Sequence, residues 1–432
     1  MKNNNIPNRK KIPTNRKLGD LNIIKPKHSI LKNGLDLYFI ESGLENVTRL
    51  DIIVGAGSMF QQKSLCSSFT NNMLKEGTAN LSSQQIAEEL DFNGAYLNTS
   101  TSKDKAVITL FSLSKHLNKL LPMLKNLVTE ATFPENEFKV QRDRKKQEFL
   151  INSEKAKIIA NRSFNELIFG ETTAYGRVTT LDDFDKISNS DLQKFHKNFY
   201  QPKNSYLIVS GKPNSESKKL INKLFGEEWQ NNNFEIQLPA NISTKQFSQE
   251  KTIKREQFLQ SAIRLGKNVI NKFDKDYNKL LFTNTILGGY FGSRLMSNLR
   301  EDKGMTYGVS SFISSFLHGS YFAIATEVNI KQTKEALKEI EKEIRILQNE
   351  KIDSGELNLV KNYIYGNFIK NFDGPFALAE MFMAVNNFGL SFDYYQESLK
   401  KMMAISAEDV LETTQKQFNL NEISTLVVGN RE

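Results

Sequence analysis

The chain has 432 residues, 39% apolar and 25% charged, a composition that excludes a disordered protein and a length that exceeds one ordinary core, so two domains of about 200 residues are expected. Its net charge of +9 is concentrated in residues 1–28, where eight Lys or Arg stand against Asp20 for a net +7, and the remainder is nearly neutral; a solvated basic leader, not a nucleic-acid surface, is the reading. No apolar run approaches the ~18 residues of a membrane helix, and the single cysteine, Cys66, excludes an internal disulfide and a Cys-based zinc cage.

Residues 1–30 form the basic leader. It lacks the apolar stretch of a secretory signal, so the chain reads as cytoplasmic as written, or as periplasmic if a signal has been removed. Alternation at Leu35, Leu37 and Phe39, and again at Leu50, Ile52 and Val54, predicts half-buried strands, and residues 96–112 continue the sheet. Helices are expected over 82–92, 116–130 and 135–169.

Residues 187–211 (ISNSDLQKFHKNFYQPKNSYLIVSG) match 405–429 (ISAEDVLETTQKQFNLNEISTLVVG) at a constant offset of 218. Each copy reads as a capped helix followed by a β-rich run ending in glycine. Upstream, 115–150 and 333–369 each give a long helix, an acidic turn and a second long helix. Self-similarity at this scale predicts two related α+β domains, each a mainly antiparallel sheet with helices packed on one face. Residues 31–225 form the first, the polar stretch 226–250 the linker, and 251–432 the second.

The segment 287–308, LGGYFGSRLMSNLREDKGMTYG, carries the clearest chemical signal. Gly288 and Gly289 are expected to open a short amphipathic helix, with Ser293 as an N-cap, that ends on Arg300. Gly304 stops it, and Tyr307 begins a strand. A guanidinium and a phenol on one rim can hold a peptide carbonyl. By residue type alone, Arg300 is equally a surface helix arginine and Tyr307 a tyrosine at the edge of a core.

From GAGSMF (55–60) through MLKEGT (73–78) to the segment just described, the chain resembles the M16 metallopeptidases, the pitrilysin and mitochondrial-processing-peptidase-like family, in their small bacterial two-domain form; the likeness covers residues 30–430. That resemblance implies a clamshell of two homologous domains. Active members carry H-x-x-E-H on an early helix, with a distal glutamate completing a zinc site. At the matching positions stand Ser68, Asn71 and Asn72, which offer no imidazole and no carboxylate, and Glu148 falls at the distal position, where it also reads as an ordinary charged helix residue. Two neutral oxygens and one carboxylate do not hold a catalytic zinc, and Asn71 cannot accept a proton from bound water.

The four histidines, His28, His116, His196 and His318, are scattered and supply no substitute. Leu287-Gly288-Gly289, Ser293-Arg294-Leu295, Leu299-Arg300 and Gly304-x-x-Tyr307 match the family's carbonyl-binding segment. The resemblance therefore implies a subunit without a metal or cofactor of its own, which lends Arg300 and Tyr307 to the zinc site of an M16 partner bearing H-x-x-E-H, in a heterodimer or a higher assembly. It also implies an extended peptide substrate, held by Gly288 and Gly289 and along 94–100, where Ala95 and Asn98 would contact it; the alternative for that stretch is a plain edge strand. A non-catalytic peptide-binding or scaffold protein of the same fold is the second functional reading.

Overall fold

Along Val47–Val54, Leu50, Ile52 and Val54 alternate with Asp51 and Ile53, and all five are buried, so both faces of this strand are covered. The computed structural model describes residues 23–233, 235–242 and 248–431; residues 1–22 of the expected leader, and 234 and 243–247 of the expected linker, lie outside it. The first sheet contains β1 (Lys27–Ile30), β2 (Asp36–Glu41), β3 (Val47–Val54), β4 (Tyr96–Thr101), β5 (Ala106–Leu113) and β6 (Ser205–Gly211), in the order β1-β2-β6-β3-β5-β4. The second contains β7 (Glu250–Lys254), β8 (Gln260–Asn268), β9 (Val309–Phe316), β10 (Gly319–Asn329) and β11 (Ser424–Gly429), in the order β7-β11-β8-β10-β9. Apart from β1 the two orders are the same. Each sheet has one parallel pair, β2 with β6 and β7 with β11, and is otherwise antiparallel.

The internal repeat is visible residue by residue. Helices Asn189–Phe199 and Ala407–Gln417 have the same bounds at the offset of 218. Both start in a capping box, Ser188 with Asp191 and Ser406 with Asp409: each carboxylate accepts the N–H of its serine (2.9 Å), and the Ser406 hydroxyl accepts in turn from Asp409 N–H (3.1 Å). Both lead into a buried strand that ends on a left-handed glycine, Gly211 (φ +102°) or Gly429 (φ +136°). A Cβ on Gly211 would lie 2.2 Å from the Val47 carbonyl oxygen, so only glycine fits there.

Each half covers one face of its own sheet and lends a helix to the other. The expected helix 135–169 is two helices, Glu135–Asn152 and Ala156–Phe169, broken where the Ser153 hydroxyl donates to the Phe149 carbonyl (2.7 Å). The second of them leaves the first half and packs on β8 and β11, burying Ala160, Phe164 and Leu167 against Ala262, Leu426 and Val428. Gly266 makes room for it: a Cβ there would stand 2.0 Å from the Phe322 carbonyl oxygen and 2.9 Å from the Phe164 ring. In return, Pro375–Asn386 of the second half packs on β2 and β6, burying Leu378, Phe382 and Val385 against Ile40, Tyr206 and Ile208. Under this helix Arg49 pairs with buried Asp51 (2.8 Å) and with Glu380 (2.6 Å), and Thr109 donates to Asp51 (2.6 Å).

The remaining helices of the first half enclose its main core. There, buried His196 donates from Nε2 to the Val128 carbonyl (2.7 Å) and stacks on Tyr200. Burial pushes its pKa down to about 4, so the ring is neutral in the folded protein and protonates first in the unfolded one. The associated stability is present above the unfolded value of about 6.5 and is lost as pH falls through about 4, up to ~3 kcal/mol. Chemical denaturation should show wild type losing stability relative to His196→Gln across that window; a pH-independent difference would contradict the assignment.

Candidate functional site

The helix Cys66–Met73 is entered through Leu65, whose φ of +72° is rare outside glycine. It carries the three positions matched to the zinc motif, and each side chain is already engaged. Ser68 donates to the Leu65 carbonyl (3.0 Å), and Asn72 accepts from the Thr99 hydroxyl (2.9 Å). Asn71 is fully buried: its Nδ2 donates to the carbonyls of Ser100 (2.7 Å) and Val107 (3.2 Å), and its Oδ1 accepts from the Tyr200 hydroxyl (3.2 Å). Asn71 is thus the pin that holds this helix to β4 and β5.

Glu148, on the helix Glu135–Asn152, does face this place. It lines a cavity of about 270 Å³ together with Ser68, Asn72, Lys145, Asn152 and Arg162. A hydrogen bond from Lys145 (2.8 Å), reinforced by the charges of Lys145 and Arg144, holds its carboxyl below the usual range. Arg162 lies 4.0 Å over the Phe149 ring and donates to the Ser153 hydroxyl (3.2 Å). The site therefore offers two neutral oxygens, one paired carboxylate and two cations, and a divalent ion would meet repulsion from both cations. These residues do not fit zinc. Among the described residues no group of three or more His, Cys, Asp or Glu is placed to hold a metal. Cys66 gives no nucleophile either, because burial pushes its thiol up to about 12.

The segment 287–308 differs in detail from its sequence reading. The glycine pair ends a helix instead of opening one: Tyr277–Asn284 runs on into the wider turn Thr285–Gly289. Gly288 is needed there for packing, since a Cβ would lie 2.6 Å from the Ser311 backbone nitrogen, whereas Gly289 is exposed. Ser293 does not cap; its hydroxyl is buried without a partner among the described residues. A second wide-turned helix, Met296–Asp302, is pinned by Asn298, whose Nδ2 donates to Glu339 (2.9 Å) and Glu343 (2.6 Å). Gly304, at φ +60°, does stop it: its N–H donates to the Arg300 carbonyl (3.1 Å), and Met305 N–H donates to Leu299 (2.8 Å).

Arg300 and Tyr307 both point outward. The Arg300 side chain is 38% exposed, and its guanidinium lies 4.8 Å over the ring of Phe291 and 3.6 Å from Glu301. Tyr307 precedes β9, which begins at Val309, and is 90% exposed, with no partner for its hydroxyl among the described residues. Its neighbours are fixed. The Thr306 hydroxyl donates to the Glu327 carbonyl (2.8 Å) and accepts from Gly308 N–H (3.1 Å). Tyr307 lines a separate cleft of about 350 Å³ with Lys155, Lys157, Gln260 and Glu327. That cleft shares no residue with the Ser68–Glu148 cavity, and Arg300 lines neither.

Thr306, Asn298 and Phe291, which hold the pair in place, were not singled out in the sequence, where nothing distinguishes them from ordinary surface residues. Ala95 and Asn98 lie just before and within β4, which among the described residues is an edge strand paired only with β5; Asn98 is exposed.

The hydrogen bonds of Asn71 give a direct test. Asn71→Asp sets a carboxylate against two carbonyl oxygens and should cost about 2–3 kcal/mol, read by denaturant unfolding near neutral pH; an unchanged midpoint would remove the pinning role.

Residues 40–174 match the family model described as "Insulinase (Peptidase family M16)", and residues 186–364 match "Peptidase M16 inactive domain". A "Zinc protease PqqE" of Helicobacter pylori is 25% identical over 83% of this chain and 83% of its own length. A "Non-peptidase homolog YmxG" of the same organism is 22% identical over 87% of each. The crystal structure of a peptidase M16 inactive domain from Pseudomonas fluorescens superimposes with a TM-score of 0.85, covering 94% of this chain and 98% of that one at 22% identity. With both M16 domain types matched in order along one chain, and with the two sheets and their helices repeating the fold of the inactive-domain structure, this protein belongs to the peptidase M16 family.

Proposed function

We propose that this chain is a zinc-free subunit of a heterodimeric M16 peptidase, lending Arg300 and Tyr307 to the scissile carbonyl of a peptide at the zinc centre of a partner that carries H-x-x-E-H. The observation that carries this reading is the contrast between the two halves of the site. The metal-type positions Ser68, Asn71 and Asn72 are consumed by internal hydrogen bonds. Tyr307, in contrast, stands exposed with a free hydroxyl between two anchored residues, and Arg300 lies on an exposed aromatic ring. Two donors aimed at a carbonyl oxygen stabilise the charge that develops there during hydrolysis. Similarity to one Helicobacter protein named a zinc protease and to another named a non-peptidase homolog supports a division of labour between two such chains.

The peptide would lie extended along the open edge of β4, past Ala95 and Asn98; of the glycine pair, exposed Gly289 is the one free to meet it, since Gly288 is packed against Ser311. That same open edge favours the second reading, a peptide-binding or scaffold protein without catalysis, since a free strand edge binds backbone whether or not cleavage follows.

Mixing the chain with a zinc-bearing M16 partner should raise peptidase activity well above that of the partner alone. Arg300→Ala and Tyr307→Phe should each cut kcat by about a hundredfold, with the complex still eluting intact. Full activity in both variants would sink the donor role. Tight peptide binding by the isolated chain, with no gain on mixing, would favour the scaffold.

A further inference from the structure

The internal repeat gives the degenerate metal position a counterpart in the second half. An offset of 213 carries Leu65, Ser68, Asn71 and Asn72 onto Asn278, Leu281, Asn284 and Thr285; one of 215 carries Glu148, Phe149 and Asn152 onto Tyr363, Ile364 and Asn367; the offset of 218 carries Phe184 onto Met402. The packing agrees with the numbers. Helix Cys66–Met73 lies on Asn189–Phe199, and helix Tyr277–Asn284 lies on Ala407–Gln417. Asn71 donates to Ser100 of the edge strand β4, and Asn284 donates to Ser311 of the edge strand β9 (3.2 Å).

In the first half the cavity is small and ionic, with Lys145, Glu148 and Arg162 on its wall. In the second half it is larger, about 420 Å³, and among the described residues no charged side chain lines it; Phe312, Tyr363, Phe368, Tyr395 and Met402 give it an aromatic and thioether wall. Asn278 and Asn284 also line it, each more than nine-tenths buried; the Oδ1 of each is closed off from the open space and has no hydrogen-bond partner among the described residues. For Asn284 the bond from Nδ2 to Ser311 fixes which end of the amide is the oxygen.

We propose that this second-half cavity binds a small, neutral, largely aromatic molecule. The volume lies in the range of small-molecule sites, about 300–1,000 Å³. The uncharged wall favours a ligand without formal charge, and the rings supply stacking faces. The proposal uses neither Arg300 nor Tyr307; Gly289, which lines this cavity, is the one residue it shares with the proposed peptide path.

N-phenylnaphthylamine, a neutral aromatic with one N–H, is a suitable fluorescent probe. Titrated into the full chain it should give a saturable signal at one site per chain. Its anionic analogue, anilinonaphthalene sulfonate, should bind at least about tenfold more weakly. Met402→Trp, and Asn367→Trp on the exposed rim, should each weaken the probe by at least about tenfold. Asn152→Trp, the matched substitution in the first-half cavity, should leave it unchanged. The proposal is overturned by an unsaturable signal, by sulfonate binding as tight as that of the neutral probe, by wild-type affinity in both cavity variants at native melting temperature, or by an equal loss in Asn152→Trp.

Discussion

The reciprocal loan of one helix by each half to the other's sheet is the constraint on which the rest of this structure depends. A sheet in water needs both faces covered or one face polar, and here neither half covers its second face alone. Ile40, Tyr206 and Ile208 would face solvent without Pro375–Asn386, and Ala262, Leu426 and Val428 without Ala156–Phe169. Buried apolar surface is worth roughly 25 cal/mol per Å², so the two exchanged helices join the halves through core packing rather than through a polar domain contact. Asp104 adds a polar clasp: it accepts from the Tyr175 hydroxyl (2.6 Å) and from Leu317 N–H (3.0 Å) at the tip of the second sheet.

That frame explains why the degenerate helix remains well built. In a metal site, ligands are held for the ion and carry unmet valence without it. Here the same positions have become structural. Asn71 ties Cys66–Met73 to two strands and to Tyr200, Asn72 holds Thr99, and Glu148 balances Lys145. The opposite logic applies to Tyr307, whose neighbours are anchored and whose own hydroxyl is spare. Side chains in the first group stabilise this chain; Tyr307 has no such role to perform.

Much of the fold was legible because its signals are local. The capping boxes at Ser188 and Ser406 and the glycines closing β6 and β11 set element bounds that repeat at one offset. Alternation at Leu50, Ile52 and Val54 marked β3, but as a half-buried strand, whereas Asp51 and Ile53 on its other face are buried as well. What local pattern cannot convey is the destination of a helix. The break at Ser153–Lys155 contains neither glycine nor proline, and it exists because the chain must leave one sheet for the other. Gly288 and Gly289 misled in a related way: glycine suits either end of a helix, and here the close approach to Ser311 decided which. The Arg300–Tyr307 spacing was visible, while the supports of the pair, Asn298 and Thr306, gain meaning only from residues distant in sequence.

The loaned helices also impose an order on synthesis. The last strand of the first sheet, β6, ends at Gly211, but the helix that closes its second face ends at Asn386. At ~5–20 residues per second, a ribosome leaves that apolar face without its cover for roughly ten seconds or more. During that interval Ile40, Ile53, Tyr206 and Ile208 form a ready surface for a holding chaperone or for another nascent chain of the same kind. The architecture that binds the halves together in the finished protein thus makes the unfinished one adhesive, and how much of it a cell accumulates will depend on what meets the first half before the second arrives.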